Sequence, residues 1–310
     1  MNRLQRLLHR HTIGELDKLA YIEGIHAQHS MLFDYISFME NSDVADIRIQ
    51  PSGIAVTSRS QQVAMYLDPD DQHLVPYTLL NFGSYETVET EFLKTVAQPG
   101  WSVLDIGANC GWYSLVLARK SPEITVHAFE PIPSTCLLLQ RNIKLNDLNN
   151  VRVHEIGISD KPGTLDFLYT RSCSGATSLK QAGQPGMTER VRCDVTTIDD
   201  FCHARNISPQ LLKCDIEGAE LLALKGGERT IGDAKPIILL ELLRKWSTRF
   251  GYHPNDAFAL LDGMGYDAYT VGFGVLHACP EVTEDTVETN FIFLHRDAHR
   301  GVIDAWRPSI

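Results

Sequence analysis

Apolar and polar residues follow two different periods in the first part of the chain. Between residues 1 and 40, leucines, isoleucines and alanines recur at intervals of three and four, which is the spacing of amphipathic helices. A break near His11–Gly14 divides this stretch, so it predicts two helices. From Asp46 to Leu67 the period falls to two around the turn Pro51–Gly53, which predicts a β-hairpin or a small meander.

The rest of the chain alternates short apolar runs of strand length with amphipathic stretches at helical spacing, which is typical of the α/β class. We place the boundary between an N-terminal domain, 1–75, and a larger domain, 76–310, after the charged turn Asp68–Asp71. The predicted strands are Val103–Ile106, Ile124–Phe129, Val151–Ile158, Thr164–Tyr169, Arg190–Val195, Leu211–Asp215, Pro236–Leu240, Tyr266–Val271 and Asn290–His295. The predicted helices are Phe82–Ala97, Tyr113–Arg119, Thr135–Asn146, Thr196–Arg205, Glu217–Thr230 and Asn255–Met264.

Composition narrows the classes of partner. A formal net charge of −11 and the lack of any Lys/Arg block argue against a nucleic-acid partner. The seven cysteines form no Cys-x-x-Cys pair, which favours reduced thiols in a cytoplasmic protein over a disulfide framework or a zinc site. No apolar run approaches the length of a membrane span, and the N-terminus lacks the apolar region of a secretion signal.

The stretch Val103–Trp112 carries the clearest chemical signal. It combines a buried-strand pattern, a turn containing Gly107 and Gly111, and the start of a helix, which is how a parallel sheet forms a nucleotide-binding crevice. Glycine is expected at both positions because the backbone must approach a ligand or adopt positive φ. Asp105 makes the spacing Asp-x-Gly-x-Asn-x-Gly, which disfavours a nicotinamide dinucleotide and suits a cationic ligand such as S-adenosylmethionine.

Four motifs occur along the larger domain in a fixed order. They are Asp105-Ile-Gly-Ala-Asn-x-Gly111, Phe129-Glu130-Pro131, Ile158-Ser-Asp160 and Lys213-x-Asp215-x-Glu217-Gly-Ala-Glu220. Together they resemble the FkbM family of S-adenosylmethionine-dependent methyltransferases, over roughly Tyr85 to Leu294. The resemblance implies a doubly wound, mostly parallel, seven-stranded Rossmann-like methyltransferase sheet, here with an N-terminal helical and β-hairpin extension.

The resemblance also implies which residues contact the cofactor. Glu130, at the end of the second predicted strand, would accept both ribose hydroxyls, while Asp160 would accept from the adenine amine or belong to an ordinary turn. Glu86 either matches a family position or is a first-turn acid that interacts with the helix dipole. The full implied set is Glu86, Asp105, Gly107, Ala108, Asn109, Gly111, Trp112, Glu130, Pro131, Ser159, Asp160 and Asp215.

Methyl transfer to a hydroxyl also requires a group that accepts the hydroxyl proton. The candidates are Lys213, Asp215, Glu217, Glu241 and His253. Asp215 or His253 would act directly; alternatively, Asp215 and Glu241 would hold a divalent metal that acidifies the acceptor. Glu217 is either a proton acceptor or an acid with a purely structural role at a helix N-terminus. Glu220 is expected to be an exposed helix charge.

The resemblance implies O-methylation of a small molecule, a glycan or another natural product. A catalytically silent protein that keeps the fold and binds S-adenosylmethionine is the alternative from another class. The loop Ser172–Gly186 is a candidate cover for the acceptor, because a loop of this length is often functional. The N-terminal helices are expected to serve as a packing element, as a lid or as the contact surface of a homo-oligomer.

Overall fold

The computed structural model describes residues 1–180, 188–272 and 274–307, and all its elements lie in these ranges. The helices are α1 (Arg3–Thr12), α2 (Lys18–His29), α3 (Met31–Glu40), α4 (Val75–Phe82), α5 (Thr87–Val96), α6 (Trp112–Lys120), α7 (Pro133–Leu145), α8 (Ile198–Arg205), α9 (Glu220–Lys225), α10 (Glu228–Ala234), α11 (Arg244–Ser247), α12 (Pro254–Gly263) and α13 (Arg300–Ala305). The strands are β1 (Val44–Gln50), β2 (Gly53–Ser58), β3 (Ala64–Tyr66), β4 (Ser102–Ile106), β5 (Thr125–Phe129), β6 (Val151–His154), β7 (Gly157–Ile158), β8 (Gly163–Tyr169), β9 (Glu189–Thr196), β10 (Leu211–Cys214), β11 (Ile237–Glu241), β12 (Tyr266–Gly272), β13 (Val275–Ala278) and β14 (Asn290–His295).

The central sheet has the strand order β13-β12-β14-β11-β10-β4-β5-β6. Its five strands from β11 to β6 are parallel, and β14 enters antiparallel beside β11. This arrangement confirms the doubly wound α/β class, and β13 adds an eighth strand to the seven expected. The chain runs outward from β4 in one direction and from β10 in the other, so a crevice opens at their carboxyl ends.

Alternation along the strands divides the interior into two apolar layers. Val103 packs on one side of the sheet with α5 and α6, whereas its neighbour Leu104 packs on the other side with α8, α9 and α12. Both layers are needed because β10 and most of β4 and β11 are buried on both faces. The rigid centre of the sheet therefore holds the carboxyl ends of β4, β10 and β11 in fixed positions.

The segment predicted as one strand, 151–158, is divided. β6 ends at His154 and belongs to the central sheet, whereas β7 pairs in parallel with β9 in a small sheet of order β7-β9-β8. The close contact of Gly157 with β8 allows this change of sheet, because a side chain at 157 would come within 2.8 Å of the Phe167 ring. The predicted pairing of 164–169 with 190–195 is confirmed by the antiparallel β8–β9 register.

Three further differences separate the predicted elements from the observed ones. The first forty residues form three helices, and Glu217–Thr230 contains two helices separated at Gly226–Gly227. The elements α4, α11, β13 and α13 were not predicted. None of the helices in the described ranges has both the length and the apolar character needed to cross a bilayer.

The meander β1-β2-β3 packs directly against the larger domain. The amides of Asn142 and Asn146, near the end of α7, bond the backbone of Tyr66 and Ala64. Val56 and Met65 belong to the same apolar cluster as Val103, so the core continues across residue 75. The division of the chain at residue 75 stays a prediction.

Candidate active site

A cavity of about 400 Å³ opens at the carboxyl ends of β4, β10 and β11. Its walls contain most of the residues singled out in the four motifs. The predicted residues that line it are Gly107, Ala108, Asn109, Trp112, Glu130, Pro131, Lys213, Asp215, Glu217 and Glu241. The topology thus brings together residues from four strand ends, those of β4, β5, β10 and β11.

The turn after β4 passes so close to β10 that a side chain would not fit. The N–H groups of Gly107 and Ala108 both donate to the carbonyl of Phe129, at the end of β5. Gly107 has a φ of +76°, and a Cβ there would lie 1.9 Å from the carbonyl oxygen of Asp215. Gly111, with a φ of +99°, precedes α6 and leaves no room for a Cβ beside Leu139. Both glycines are required by backbone geometry, as the motif indicates.

Asp105 lies beneath the floor of this cavity and is 1% exposed. Its carboxylate accepts the Ser114 hydroxyl at 2.5 Å and lies 3.7 Å from the Lys213 ammonium. Lys213 also lies 3.6 Å from Asp215 and donates to the Gly107 carbonyl at 2.9 Å. Burial alone would lower the pKa of Lys213, but the carboxylates of Asp215 and Asp105 raise it above its ordinary value. Lys213 is therefore a fixed cation that links β4 with β10.

Glu130 is a buried acid at the edge of the cavity, 6% exposed. One carboxylate oxygen accepts the Asn109 N–H at 3.1 Å and the other accepts the Ile132 N–H at 3.0 Å. Burial raises its pKa to about 7, although these two hydrogen bonds lower it in part. Each oxygen keeps a lone pair that a ligand hydroxyl could use.

Three acids meet at the ends of β10 and β11. Glu241 shares a hydrogen bond with Asp215, and burial together with the Asp215 charge raises the pKa of Glu241 to about 11. Burial and the charges of Asp215 and Glu220 raise the pKa of Glu217 to about 9. Near neutral pH, Glu217 and Glu241 are therefore protonated, whereas Asp215 is the acid that faces the Lys213 ammonium.

Several predicted residues do not reach the cavity wall. Glu86 lies behind it, accepting the Tyr113 hydroxyl at 2.6 Å and the Asn290 amide at 3.2 Å. Ser159 bonds its neighbour Asp160 at 3.2 Å, and neither lines a cavity. His253 caps α12 by accepting the Asn255 N–H, and it does not line the cavity. Asp105 and Gly111, described above, also lie outside the lining.

The expectation that Glu220 is an exposed helix charge is wrong. Glu220 is 1% exposed and accepts the N–H groups of Ile216 and Gly218. The Tyr252 hydroxyl donates to its other oxygen at 3.1 Å. Glu220 thus fixes the turn that carries Glu217, which local sequence patterns cannot reveal because Tyr252 comes from a distant part of the chain.

The opposite wall of the cavity was not predicted from the sequence. It is formed by the start of α4 and the turn before it, by a short helical turn after β8, and by α11. Its residues are His73, Leu74, Val75, Tyr85, Cys173, Ser174, Gly175, Ala176, Thr177, Leu243, Lys245 and Trp246. In this wall, the residues from Cys173 to Thr177 belong to the loop Ser172–Gly186, which was expected to cover the acceptor; the other residues had not been singled out.

A second, smaller and mostly apolar cavity adjoins the first. The two share Gly107, Pro131, Phe167 and Ile216 in their walls. The remaining walls of the smaller cavity come from Ile106, Phe129, Ile156, Gly157, Ile158, Leu179 and Ala219. Its volume is only about 20 Å³, room for about one water molecule, so it extends the apolar wall near Pro131 and does not form a separate ligand site. Among the described residues, no group of three or more His, Cys, Asp or Glu side chains is arranged to hold a metal ion.

The family model and two relatives that match this chain are named as methyltransferases. The model of the Methyltransferase FkbM domain matches residues 105–268, more than half of the chain. Methyltransferase 1 of Beauveria bassiana is 28% identical over 158 residues, covering 45% of this chain and 64% of that protein. The 31-O-demethyl-FK506 methyltransferase FkbM of Streptomyces tacrolimicus is 29% identical over 159 residues, covering 42% of this chain and 61% of that protein.

Among solved structures, the Methyltransferase FkbM of Methylobacillus flagellatus aligns with a TM-score of 0.40 and 22% identity. That alignment covers 70% of this chain and 53% of the solved chain. A TM-score at this level supports no conclusion about the site. In all three comparisons the match spans less than two thirds of the relative's own length.

Proposed function

Because the chain belongs to the FkbM methyltransferase family, we propose that it transfers a methyl group from S-adenosylmethionine to a hydroxyl oxygen of a small molecule or glycan. The observation that carries this proposal is the cavity between β4 and β10, where a glycine turn, a buried Glu130 and a group of carboxylates meet. The relative from Streptomyces tacrolimicus, whose name specifies an O-methylation, supports oxygen as the acceptor atom.

The adenosine part of the donor fits one end of the site. The free lone pairs of Glu130 can accept the two ribose hydroxyls, and the Asn109 N–H holds the carboxylate in place. The adenine ring then lies in the part of the larger cavity that is lined by Pro131 and Phe167, next to Glu130. Ser159 and Asp160 would support this end of the site from behind.

The sulfonium end lies beside the acids of β10 and β11. Asp215, Glu217 and Glu241 line this part of the cavity, and the cation Lys213 is held by Asp105 and Asp215. The carboxylates of Asp105 and Asp215 together exceed the single positive charge of Lys213, and this excess stabilises a positively charged donor more than its neutral product. This difference favours release of S-adenosylhomocysteine after the reaction.

We assign Asp215 as the group that receives the acceptor proton. The acceptor oxygen attacks the methyl carbon, the carbon–sulfur bond breaks with its electrons returning to sulfur, and the hydroxyl proton passes to Asp215. Glu241, protonated near neutral pH, donates a hydrogen bond to Asp215 and orients it. His253 caps α12 instead, so it is a weaker candidate for this role.

A metal-assisted version of the same chemistry fits the residues less well. That arrangement would use Asp215 and Glu241 as metal ligands, and these two acids are hydrogen-bonded to each other. The Lys213 ammonium, 3.6 Å from Asp215, would be repelled by a divalent cation at that place. We therefore favour proton transfer to Asp215 without a metal.

The first test is calorimetric titration with S-adenosylhomocysteine. The wild-type chain should bind it, and Glu130→Ala should weaken binding by about tenfold or more because a buried acceptor of two hydroxyls is lost. Glu155→Ala, which removes an exposed acid one strand away, is the matched control and should bind like the wild type. Failure of the wild-type chain to bind either S-adenosylmethionine or S-adenosylhomocysteine would refute the proposal.

The second test separates an enzyme from a silent binding protein. S-adenosylmethionine with a labelled methyl group is incubated with panels of hydroxylated small molecules and glycans, and label in the products is counted. Transfer of label to an oxygen supports the proposed reaction. Tight cofactor binding with no transfer to any hydroxyl in these panels would favour the silent alternative.

A further inference from the structure

We propose that Ser174 binds the amino-acid end of the donor and that Asp71 positions it. This inference rests on the proposed use of S-adenosylmethionine. Ser174 belongs to a helical turn, Ser174–Ala176, in the loop that was expected to cover the acceptor. The structure instead points to a role for the described part of this loop on the donor side of the cavity.

Away from the acids of β10 and β11, two polar atoms of cavity-wall residues have no hydrogen-bond partner among the described residues. They are the side-chain oxygen of Asn109, in the glycine turn, and the hydroxyl of Ser174, which is 7% exposed. Buried polar atoms nearly always have a hydrogen-bond partner in folded proteins. Two such atoms without a partner in the same wall therefore indicate a ligand site. A third unpaired oxygen, on Glu217, lies with the acids already assigned to the sulfonium end.

Ser174 and Asn109 lie on the same side of the cavity. A Cβ added to Gly175 would come 3.6 Å from the Asn109 amide nitrogen, so the helical turn packs against the glycine turn. Asn109 also donates its N–H to Glu130, the proposed ribose ligand. The helical turn with Ser174 therefore adjoins the glycine turn beside the proposed ribose site.

The chemistry of these two atoms matches a zwitterion. The Asn109 oxygen can accept from an ammonium group, and the Ser174 hydroxyl can donate to a carboxylate. Hydrogen bonds to charged groups are stronger than those between neutral groups, which suits the amino-acid end of S-adenosylmethionine. Adenosine and sulfonium are already accounted for by Glu130 and by the acids at the ends of β10 and β11.

Asp71 holds the helical turn in this position. One of its carboxylate oxygens accepts the Ser174 N–H at 2.9 Å and the other accepts the His73 N–H at 3.0 Å. Asp71 is 4% exposed and does not line the cavity, so it acts through Ser174 and His73. At the other end of the loop, the Ser178 hydroxyl donates to the Glu217 carbonyl at 2.8 Å. The turn that precedes α4 thereby helps to build the donor site.

The experiment compares two ligands that differ at the amino-acid end. S-adenosylhomocysteine carries this end, whereas 5′-methylthioadenosine lacks it and keeps the adenosine and the thioether. In calorimetric titrations, Ser174→Ala should weaken binding of S-adenosylhomocysteine by about tenfold and leave 5′-methylthioadenosine unchanged. Asp71→Asn, which removes the negative charge with little change of shape, should give the same selective loss. Ser172→Ala, in the same loop but outside the cavity wall, is the matched control.

Each outcome bears on the inference. Unchanged binding of S-adenosylhomocysteine to Ser174→Ala would overturn it while leaving the proposed function intact. Equal weakening of both ligands would also overturn it, because that result indicates general damage to the site. A wild-type chain that binds neither ligand would overturn this inference and the proposed function together.

Discussion

Lys213 is the buried ammonium in the wall of the proposed sulfonium site, where Asp215, Glu217 and Glu241 meet. Lys245 also lines the cavity but is exposed at its rim. Burial and the charge of Asp215 raise the pKa of Glu217 to about 9 and that of Glu241 to about 11. A positively charged ligand would favour the ionised form of both groups.

This coupling predicts a pH dependence of donor binding. Below their pKa values Glu217 and Glu241 are neutral, and binding of a sulfonium lowers those values, so protons are released and affinity rises with pH. S-adenosylhomocysteine has a neutral thioether and should show no such rise. We expect the ratio of S-adenosylmethionine to S-adenosylhomocysteine affinity to increase by about tenfold between pH 6.5 and 8.5 in calorimetric titrations.

The control for this prediction is a double variant, Glu217→Gln with Glu241→Gln, which removes both titrating groups and should flatten the ratio. A constant ratio in the wild-type chain would contradict the placement of the sulfonium beside these acids.

Substitutions at the two hydrogen-bonded acids should have unequal effects. Asp215→Asn removes the proton acceptor and should lower kcat by about a hundredfold or more, with little change in S-adenosylhomocysteine affinity. Glu241→Gln replaces a protonated acid with a neutral group of the same shape, so kcat should fall by less than about tenfold. Turnover is measured with the hydroxyl acceptor found by label transfer. An equal decrease of kcat in both variants would show that Asp215 is not the base.

At the scale of elements, the turn between β4 and α6 determines whether the cavity exists. Gly107→Ala forces a Cβ against the Asp215 carbonyl at positive φ, so we expect a loss of about 3–5 kcal/mol in the free energy of unfolding. Gly100→Ala is the matched control, because Gly100 also has positive φ but no atom within 4 Å of an added Cβ. It should cost only about 1–2 kcal/mol. Urea denaturation measures both, and similar losses would contradict the close approach of the two strands.

The elements that the sequence did not predict share a physical cause. The segment 151–158 reads as one strand, yet it divides because β7 pairs with β9, which lies far along the chain. The stretch 217–230 reads as one helix, but a Cβ at Gly226 would come 2.2 Å from the Ser159 carbonyl, where the chain turns between α9 and α10. Periodicity describes local burial and does not contain such distant contacts.

At the scale of the whole molecule, the first three helices contribute no buried residue to the core, although Phe38 and Met39 of α3 pack against it. None of α1, α2 and α3 has a buried residue, and apolar side chains such as Phe33 are 66% exposed. Helices of this length are marginal in water without packing partners. A homo-oligomer formed through these helices stays a prediction, and its physical reason is that contact between chains would bury the exposed apolar side chains.

Deletion of residues 1–29 tests this prediction. Analytical ultracentrifugation should show an oligomer for the full chain and a monomer for the shortened one, because α1 and α2 are removed. The free energy of unfolding of the shortened chain should change by less than about 1 kcal/mol, since neither helix buries a residue. Unchanged S-adenosylhomocysteine binding is the control for folding. An identical oligomeric state in both chains would refute the role of these helices.

The sequence alone determined the α/β class, the order of the main strands and the glycine turn after Asp105. These features follow from short-range patterns, because periodicity and turn residues reflect the local backbone. It also indicated which acids meet at one sheet edge, since parallel strands bring their carboxyl ends together.

Only the tertiary structure decided the other half of the cavity and the charge state of its acids. Asp71 and Ser174 meet across 103 residues, and Lys213 reaches the Gly107 carbonyl across 106. Such contacts depend on how whole elements pack, and the raised pKa values of Glu217 and Glu241 depend on burial, which exists only in the folded chain.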